Sequence, residues 1–294
     1  MEQKKKQKKK SDKLFGLLVV LIFVAGLSLL LYPAISNAYN SWLQSRAIVD
    51  YSSVVDSMEQ ETYRGEMEKA SAYNTALNQR DNPFALTPEQ DAQYWQILNL
   101  SKKNIMAYVQ IPSIDVTLPI AHGSSEETLQ KYVGHLEWSS LPVGGESTHC
   151  VISGHRGLPS SELFTNIDHL ELGDRFYIHV LGQILEYQVC HIAVVEPTDQ
   201  KLLTVVEGQD LVTLVTCTPY GINSHRLLVR GIRTGTTGAA EQVGVYVKNE
   251  VTNVDPLILA VAVLVVIAVV AFFVLLLGGK KKKKEVPKHE EDPE

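Results

Sequence analysis

Two long apolar runs, each bordered by lysines, constrain this 294-residue chain more than any other feature. Residues 14–32 follow Lys4, Lys5, Lys6, Lys8, Lys9, Lys10 and Lys13, whereas residues 257–277 contain no charge and are followed by Lys280 to Lys284. Each run approaches the roughly 20 apolar residues that a helix needs to cross a bilayer. Lysine-rich flanks stay on the cytoplasmic side, and here they lie outside both runs. The expected topology has two transmembrane helices, cytoplasmic tails at 1–13 and 278–294, and an exterior portion from 33 to 256. A cleaved secretory signal is the alternative for the first run, since Ser36 and Ala38 resemble a small-residue cleavage site. The run is, however, longer than the 7–15 apolar residues usual for such signals.

The charge distribution agrees with that topology. The two tails hold 13 of the 27 Lys+Arg and 7 of the 33 Asp+Glu, leaving the middle with 14 basic against 26 acidic residues. An acidic exterior domain lacks the basic footprint of a nucleic-acid binder. Its three cysteines, Cys150, Cys190 and Cys217, are too few for a disulfide framework and odd in number, so at least one thiol stays free. Cys150 and Cys190 sit in apolar runs and read as buried structural thiols, with a bridge between them as the alternative.

The exterior portion divides by texture. From 41 to 80 apolar residues recur near helical spacing without proline, although Gly65 weakens a single continuous helix. Asp81, Asn82 and Pro83 break it, and Thr87-Pro88-Glu89-Gln90 then carries the signature of a capped helix start, with a short helix expected to about Leu98. This makes 33–103 a helical region. Beyond it come short runs rich in Val, Ile, Leu and Tyr, at 106–111, 116–120, 149–153, 175–180, 184–195, 211–215 and 226–232, separated by turn residues. Many short strands with few helical patterns indicate a mostly β domain, closed or nearly closed into a barrel, over 104–233. Residues 234–256 read as a linker.

Chemistry concentrates in two places. A β run ends at Cys217, Pro219 stops it, and a turn containing Gly221 leads into a second run that opens with Arg226. Short connections favour pairing of successive strands, which sets Cys217 beside Arg226 at one end of the sheet. A guanidinium there can activate a thiol and donate hydrogen bonds to the oxyanion formed when a thiolate attacks a carbonyl. The second place is Ser153-Gly154-His155-Arg156-Gly157, again at a strand end, where an imidazole suits general acid–base work. A buried cysteine near an incidental arginine, and a histidine satisfied by its surroundings, are the plain alternatives.

Taken together these motifs resemble the sortase family of Gram-positive transpeptidases. The strand end is matched by Leu214, Thr216, Cys217, Pro219, Gly221 and Arg226, and the histidine motif by Gly154, His155 and Arg156. Residues 117–120, 134–136 and 141–145 are similar to further barrel segments of the family. The resemblance implies a closed eight-stranded barrel, with Cys217 as nucleophile, His155 as acid–base and Arg226 as stabiliser of oxyanion and substrate. It implies cleavage of a Leu-Pro-x-Thr-Gly type sorting signal between Thr and Gly through a thioacyl enzyme. The two apolar runs resemble the pilus-building subgroup, class C, whose members join pilin subunits through lysine isopeptide bonds. That subgroup carries a lid with Asp-Pro-aromatic before the barrel. Here the stretch reads Asp81-Asn82-Pro83-Phe84, an inserted asparagine leaving open whether Asp81 reaches Arg226 or Phe84 alone covers Cys217; a plain turn is the alternative.

Pro219, Tyr220 and Asn223 are candidates for lining a substrate groove, or simply for shaping the turn. His225 adjoins Arg226 but should face the other way along the strand. His122, His135, His149, His169, His179 and His191 lack partners at metal-ligand spacing, so no metal and no cofactor are expected. A sortase anchoring proteins to a peptidoglycan precursor is the neighbouring reading. A papain-like hydrolase, which places its cysteine at a helix start and its histidine downstream, fits poorly, as does a non-catalytic ectodomain.

Overall fold

The computed structural model describes residues 2–101 and 103–237, with positions 265, 269 and 272. Apart from those three positions the second apolar run, 257–277, lies outside the described residues, as do the tail 278–294 and the linker beyond 237. The chain forms two compact units, Met1–Leu31 with Asn253–Glu294, and Tyr32–Thr252. Residues 14–32 fall within the helix α1 (Glu2–Asp56). Among the described residues no helix is long and apolar enough to cross a membrane.

The helical region is split where the sequence pattern suggests continuity. Helix α1 ends at Asp56, and α2 (Gln60–Leu77) begins after Glu59, whose backbone is extended (φ −67°, ψ 147°). Gly65 lies inside α2 and breaks nothing. Helix α3 (Pro88–Tyr94) starts with the full capping box, Thr87 accepting from the Gln90 amide while the Gln90 side chain accepts from the Thr87 amide. It is shorter than expected, and a turn carries the chain on to Leu98.

Eight strands close the barrel: β1 (Ile105–Ile111), β2 (Val116–His122), β3 (Val133–His135), β4 (Thr148–Ser153), β5 (Arg175–Val180), β6 (Gln183–Val195), β7 (Asp210–Thr218) and β8 (His225–Thr237). Their order around the barrel is β1-β2-β3-β4-β7-β8-β6-β5, with β5 returning to β1. The pairs β2–β3 and β4–β7 are parallel, and the others antiparallel. Strand β8 runs on through Thr237, opposite Ile184, so the small polar residues 234–237 belong to the sheet. A single-turn helix of four residues, α4 (Glu126–Leu129), sits between β2 and β3.

The interior follows from strand alternation. Ile120, Ile152, Phe176, Ile178, Leu185, Leu214 and Val229 are all fully buried in one core with Phe164 and Tyr187. Gly231 in β8 leaves room for this packing, since a Cβ there would lie 2.5 Å from the Phe176 ring. A separate cluster docks α1, with Ala47, Ile48 and Tyr51 against Ile105, Tyr108 and Ala121. The Tyr51 hydroxyl also accepts from the Leu181 amide at 2.8 Å.

Three histidines are built into this framework as neutral groups. His135 bonds to the Ser140 carbonyl (2.8 Å) and Tyr94 hydroxyl (3.1 Å), and His149 to the Thr204 carbonyl (2.8 Å) and Thr213 hydroxyl (2.7 Å). His179 stacks on Tyr108 with ring centroids 4.2 Å apart and bonds to Gln110 at 3.0 Å. Burial lowers each of them from 6.5 to about 4. The unfolded chain therefore binds protons between pH 6.5 and 4 that the folded chain refuses. Each imidazole then removes about 1.4 kcal/mol of stability per pH unit as pH falls through that window. Asp210 acts in the opposite sense, since burial raises its carboxyl, but it is one group against three. Urea midpoints measured at pH 7.0, 5.5 and 4.5 are expected to fall steadily; a flat series would show that the three rings do not take up protons on unfolding.

Candidate active site

Strand β7 is the shared element. It pairs antiparallel with β8, setting Cys217 directly opposite Arg226, with Val215 opposite Leu228 one step back on the same face. It also pairs in parallel with β4, in a register that sets Ser153 opposite Val215. The Gly154 amide donates to the Val215 carbonyl (3.0 Å), and the Thr216 hydroxyl to the Gly154 carbonyl (2.7 Å). His155 follows at the level of Cys217. The register thus sets Cys217, His155 and Arg226 at one end of three adjacent strands, from positions as far apart as 155 and 226.

The histidine is confined but not saturated. Its loop closes through the Phe164 amide, which donates to the His155 carbonyl at 3.1 Å. A Cβ on Gly154 would lie 2.7 Å from the Phe164 ring, so only glycine permits that approach. Among the described residues the imidazole Nε2 is buried without a hydrogen-bond partner; the Glu126 carboxylate on α4 lies 3.7 Å from it. Arg226 donates through Nη1 to the carbonyls of Asn223 (3.3 Å) and His225 (3.1 Å). Among the described residues the rest of its guanidinium has no hydrogen-bond partner. His225 lies opposite Thr218, exposed, with the Ser224 hydroxyl 2.9 Å from its Nδ1, and takes no part in the cluster.

A second basic residue ties the two halves of the site together. Arg156, only 11% exposed, pairs with Asp168, donates to the Thr218 hydroxyl at 3.3 Å, and stands 5.9 Å from the centre of the Tyr220 ring. Tyr220 packs on Gly157, where a Cβ would come within 2.8 Å of the ring. Of the residues expected to line a groove, Tyr220 is therefore a strut between the His155 loop and the β7–β8 turn. The Pro219 carbonyl accepts from the amides of Ile222 and Asn223, and the Asn223 carbonyl accepts from Arg226. Pro219 and Asn223 thus take part in the turn itself. Sequence reasoning misses the part played by Arg156 and Asp168; a guanidinium beside a candidate catalytic histidine is the available signal.

The stretch from Asp81 to Phe84 lies against the same face of the sheet. Phe84 meets Trp138 edge-on (centroids 5.1 Å apart) and joins the cluster of Val151, Val215 and Leu228, one strand step from Cys217 and Arg226. Asn82 makes the turn, its side-chain oxygen accepting from the Phe84 amide at 3.0 Å. Asp81 is exposed and, among the described residues, forms no ion pair with Arg226. The neighbouring Arg80 holds the stretch instead, donating to the carbonyls of Leu77, Pro83, Ala85 and Trp138 at 2.7–3.0 Å. Beside it opens a cavity of about 440 Å³, lined by Leu77, Phe84, Trp138, His149 and Leu203 among others.

All three cysteines are free. Cys150 is buried in the core, which pushes its thiol far above the usual range. Cys190, expected to be buried, is exposed. Leu185, Tyr187 and Val189 face the core, so alternation turns Cys190 outward; it is also the extra residue of a β-bulge, where the register passes from Val189–Gly231 to His191–Arg230.

The Sortase domain family matches residues 109–234. The sortase C1 structure from Streptococcus agalactiae is 45% identical, covering 65% of this chain and 98% of that one, with a TM-score of 0.63. A sortase C structure from Streptococcus pneumoniae is 44% identical over 65% of this chain and 97% of its own, with a TM-score of 0.58. Sortase A of Bacillus anthracis is 26% identical over 76% of this chain and 97% of its own length. With these matches the chain belongs to the sortase family of cysteine transpeptidases. Its likeness to the sortase C structures places it in the class C branch.

The packing of Tyr220 on Gly157 predicts a coupled pair of substitutions. Gly157 has φ +74°, a conformation that costs an alanine about 1–2 kcal/mol, and its Cβ would displace the Tyr220 ring. Gly157→Ala is expected to lower activity, and Tyr220→Ala to restore part of that loss in the double variant. A double-mutant cycle on kcat/KM checks this; strict additivity would mean that the two residues do not touch in solution.

Proposed function

We propose that this sortase polymerises pilins. The Cys217 sulfur attacks the Thr carbonyl of a Leu-Pro-x-Thr-Gly type signal, and His155 protonates the departing Gly amine as the Thr–Gly bond breaks. The product is a thioester on Cys217. A lysine amine of the next pilin attacks that carbonyl, gives its proton to His155, and leaves as an isopeptide while the thiol is regenerated. Arg226 donates its free N–H groups to the oxyanion of both tetrahedral intermediates. The observation that carries the reading is the pairing of Cys217 with Arg226 at the level reached by His155. The similar sortase C from Streptococcus pneumoniae has pilin substrate specificity, which supports pilins as the substrate here.

In this proposal both apolar runs span the membrane, with the termini cytoplasmic and the barrel outside. The lysine flanks support that arrangement, as do Leu29 and Leu30, which are 77% and 74% exposed on a helix that water would not favour bare. Residues 81–84 act as a lid whose anchor is Arg80, with Phe84 covering the approach to Cys217 along the face shared with Val215.

The test is intact-mass spectrometry of the chain incubated with a sorting-signal peptide and a lysine-bearing acceptor. Wild type is expected to form an adduct that the acceptor discharges as an amide, and Cys217→Ala to form none. Arg226→Ala is expected to lose about 10²–10³ in kcat and His155→Ala about 10²–10⁴. Discharge by a peptidoglycan-precursor amine in preference to lysine would reassign the enzyme to wall anchoring. For the lid, Arg80→Met and Phe84→Ala are expected to speed adduct formation, while Asp81→Ala leaves it near wild type. Faster reaction in Asp81→Ala alone would move the anchor from Arg80 to Asp81.

A further inference from the structure

Helix α1 carries three amide side chains at 37, 40 and 44, a spacing that puts them on one face. All three reach the loop that begins at His155. The Asn37 side-chain oxygen accepts from the Glu162 amide at 3.0 Å. Asn40 donates to the Ser160 carbonyl at 2.8 Å. Gln44 donates both to the Ser161 hydroxyl (3.1 Å) and to the Lys131 carbonyl (2.8 Å). Gln44 and Ser161 are 5% and 2% exposed, so the bond between them forms where water does not compete, whereas those of Asn40 and Asn37 lie progressively nearer the surface.

The Lys131 bond matters because of what Lys131 follows. It lies two residues beyond α4, the short helix whose Glu126 faces the His155 imidazole at 3.7 Å. The 155–165 loop carries that imidazole and is closed by its own bonds, the Phe164 amide to the His155 carbonyl and the Gly157 amide to the Thr165 hydroxyl (3.1 Å). Gln44 therefore bridges the loop that carries His155 and the end of the segment that carries Glu126.

We propose that Asn37, Asn40 and Gln44 are positioning residues of the active site: helix α1 sets the seat of His155 by holding its loop and α4 at a fixed separation. A shift of the order of 1 Å at a reacting group can cost about a hundredfold in rate, and a loop without these three bonds has that freedom. The proposal rests on His155 being the acid–base group. It assigns to the helix a part in the reaction beyond carrying the domain.

Isosteric substitutions in the full-length chain, kept in detergent micelles, test it without changing volume. Gln44→Glu and Asn40→Asp each exchange a donor for an acceptor facing a carbonyl, whereas Asn37→Asp keeps the acceptor that Glu162 uses. The expected ranking of kcat is Gln44→Glu lowest, at about a tenth of wild type or less, then Asn40→Asp, with Asn37→Asp above both. KM for the peptide should change little, and the thermal midpoint should fall most in Gln44→Glu, which buries a carboxyl facing a carbonyl. Equal losses in all three variants accompanied by a lowered midpoint, or no loss in any, would overturn the proposal. Amide hydrogen exchange over 155–165 reports on the same bonds without passing through the reaction. Faster exchange is expected in Gln44→Glu, and unchanged exchange would sink the idea even in a chain that shows no transpeptidation. A wild-type chain that forms no adduct, with exchange behaving as expected, would instead fail the functional reading and leave the positioning role standing.

Discussion

Strand β7 holds two kinds of partner at once, parallel on one side and antiparallel on the other, and the site exists because of that. The antiparallel edge delivers Arg226 across from Cys217; the parallel edge delivers the chain of β4 to the same level, from which His155 emerges. Neither side chain needs a bond to the cysteine to be brought there, since the backbone ladder does it. The outer face of β7 continues as Val215, on which Phe84 and Trp138 pack. The apolar wall of the approach and the reactive end are thus successive residues of one strand.

The parts of the fold legible in the sequence are those written in local pattern. Pattern alone bounds β5 as found, and β1, β2, β4 and β6 to within two residues, because β-branched and aromatic runs end at turn residues there. The capping box at Thr87 and Gln90 is readable because every group in it lies within four residues. Strand β3 escapes such a reading: Val133, Gly134 and His135 are too few to show alternation, and they pair with partners that only the closed barrel supplies. The bulge at Cys190 is invisible for a related reason, since a register shift belongs to the pairing and not to either strand.

Within the site, Cys217 and Arg226 can be found because a short turn joins their strands, and His155 because glycines frame it. The anchors cannot. Arg80 bonds to four carbonyls, and a carbonyl carries no signature in a sequence; Asp81 beside it offers the more obvious charge and is unpaired with Arg226. The same holds for amides. Asn74 exchanges two bonds with the Leu141 backbone, and Asn78 donates to the Ser147 carbonyl, joining α2 to segments some 67–69 residues away. Docking by neutral amides and one guanidinium on carbonyls makes the attachment of the helical region largely indifferent to salt, because little of it depends on paired surface charges.

The parallel register of β4 on β7 also limits how this protein can vary. A substitution in β4 changes one contact, but a single residue inserted or deleted between Thr148 and Ser153 shifts the remaining strand by one position, and in a β-strand that turns every later side chain to the opposite face. His155 would then leave the strand either a step early or a step late relative to Cys217. Length variation among natural or engineered versions of this enzyme should therefore accumulate in the exposed turns and spare β4 and β7, where the spacing between histidine and cysteine is counted out residue by residue.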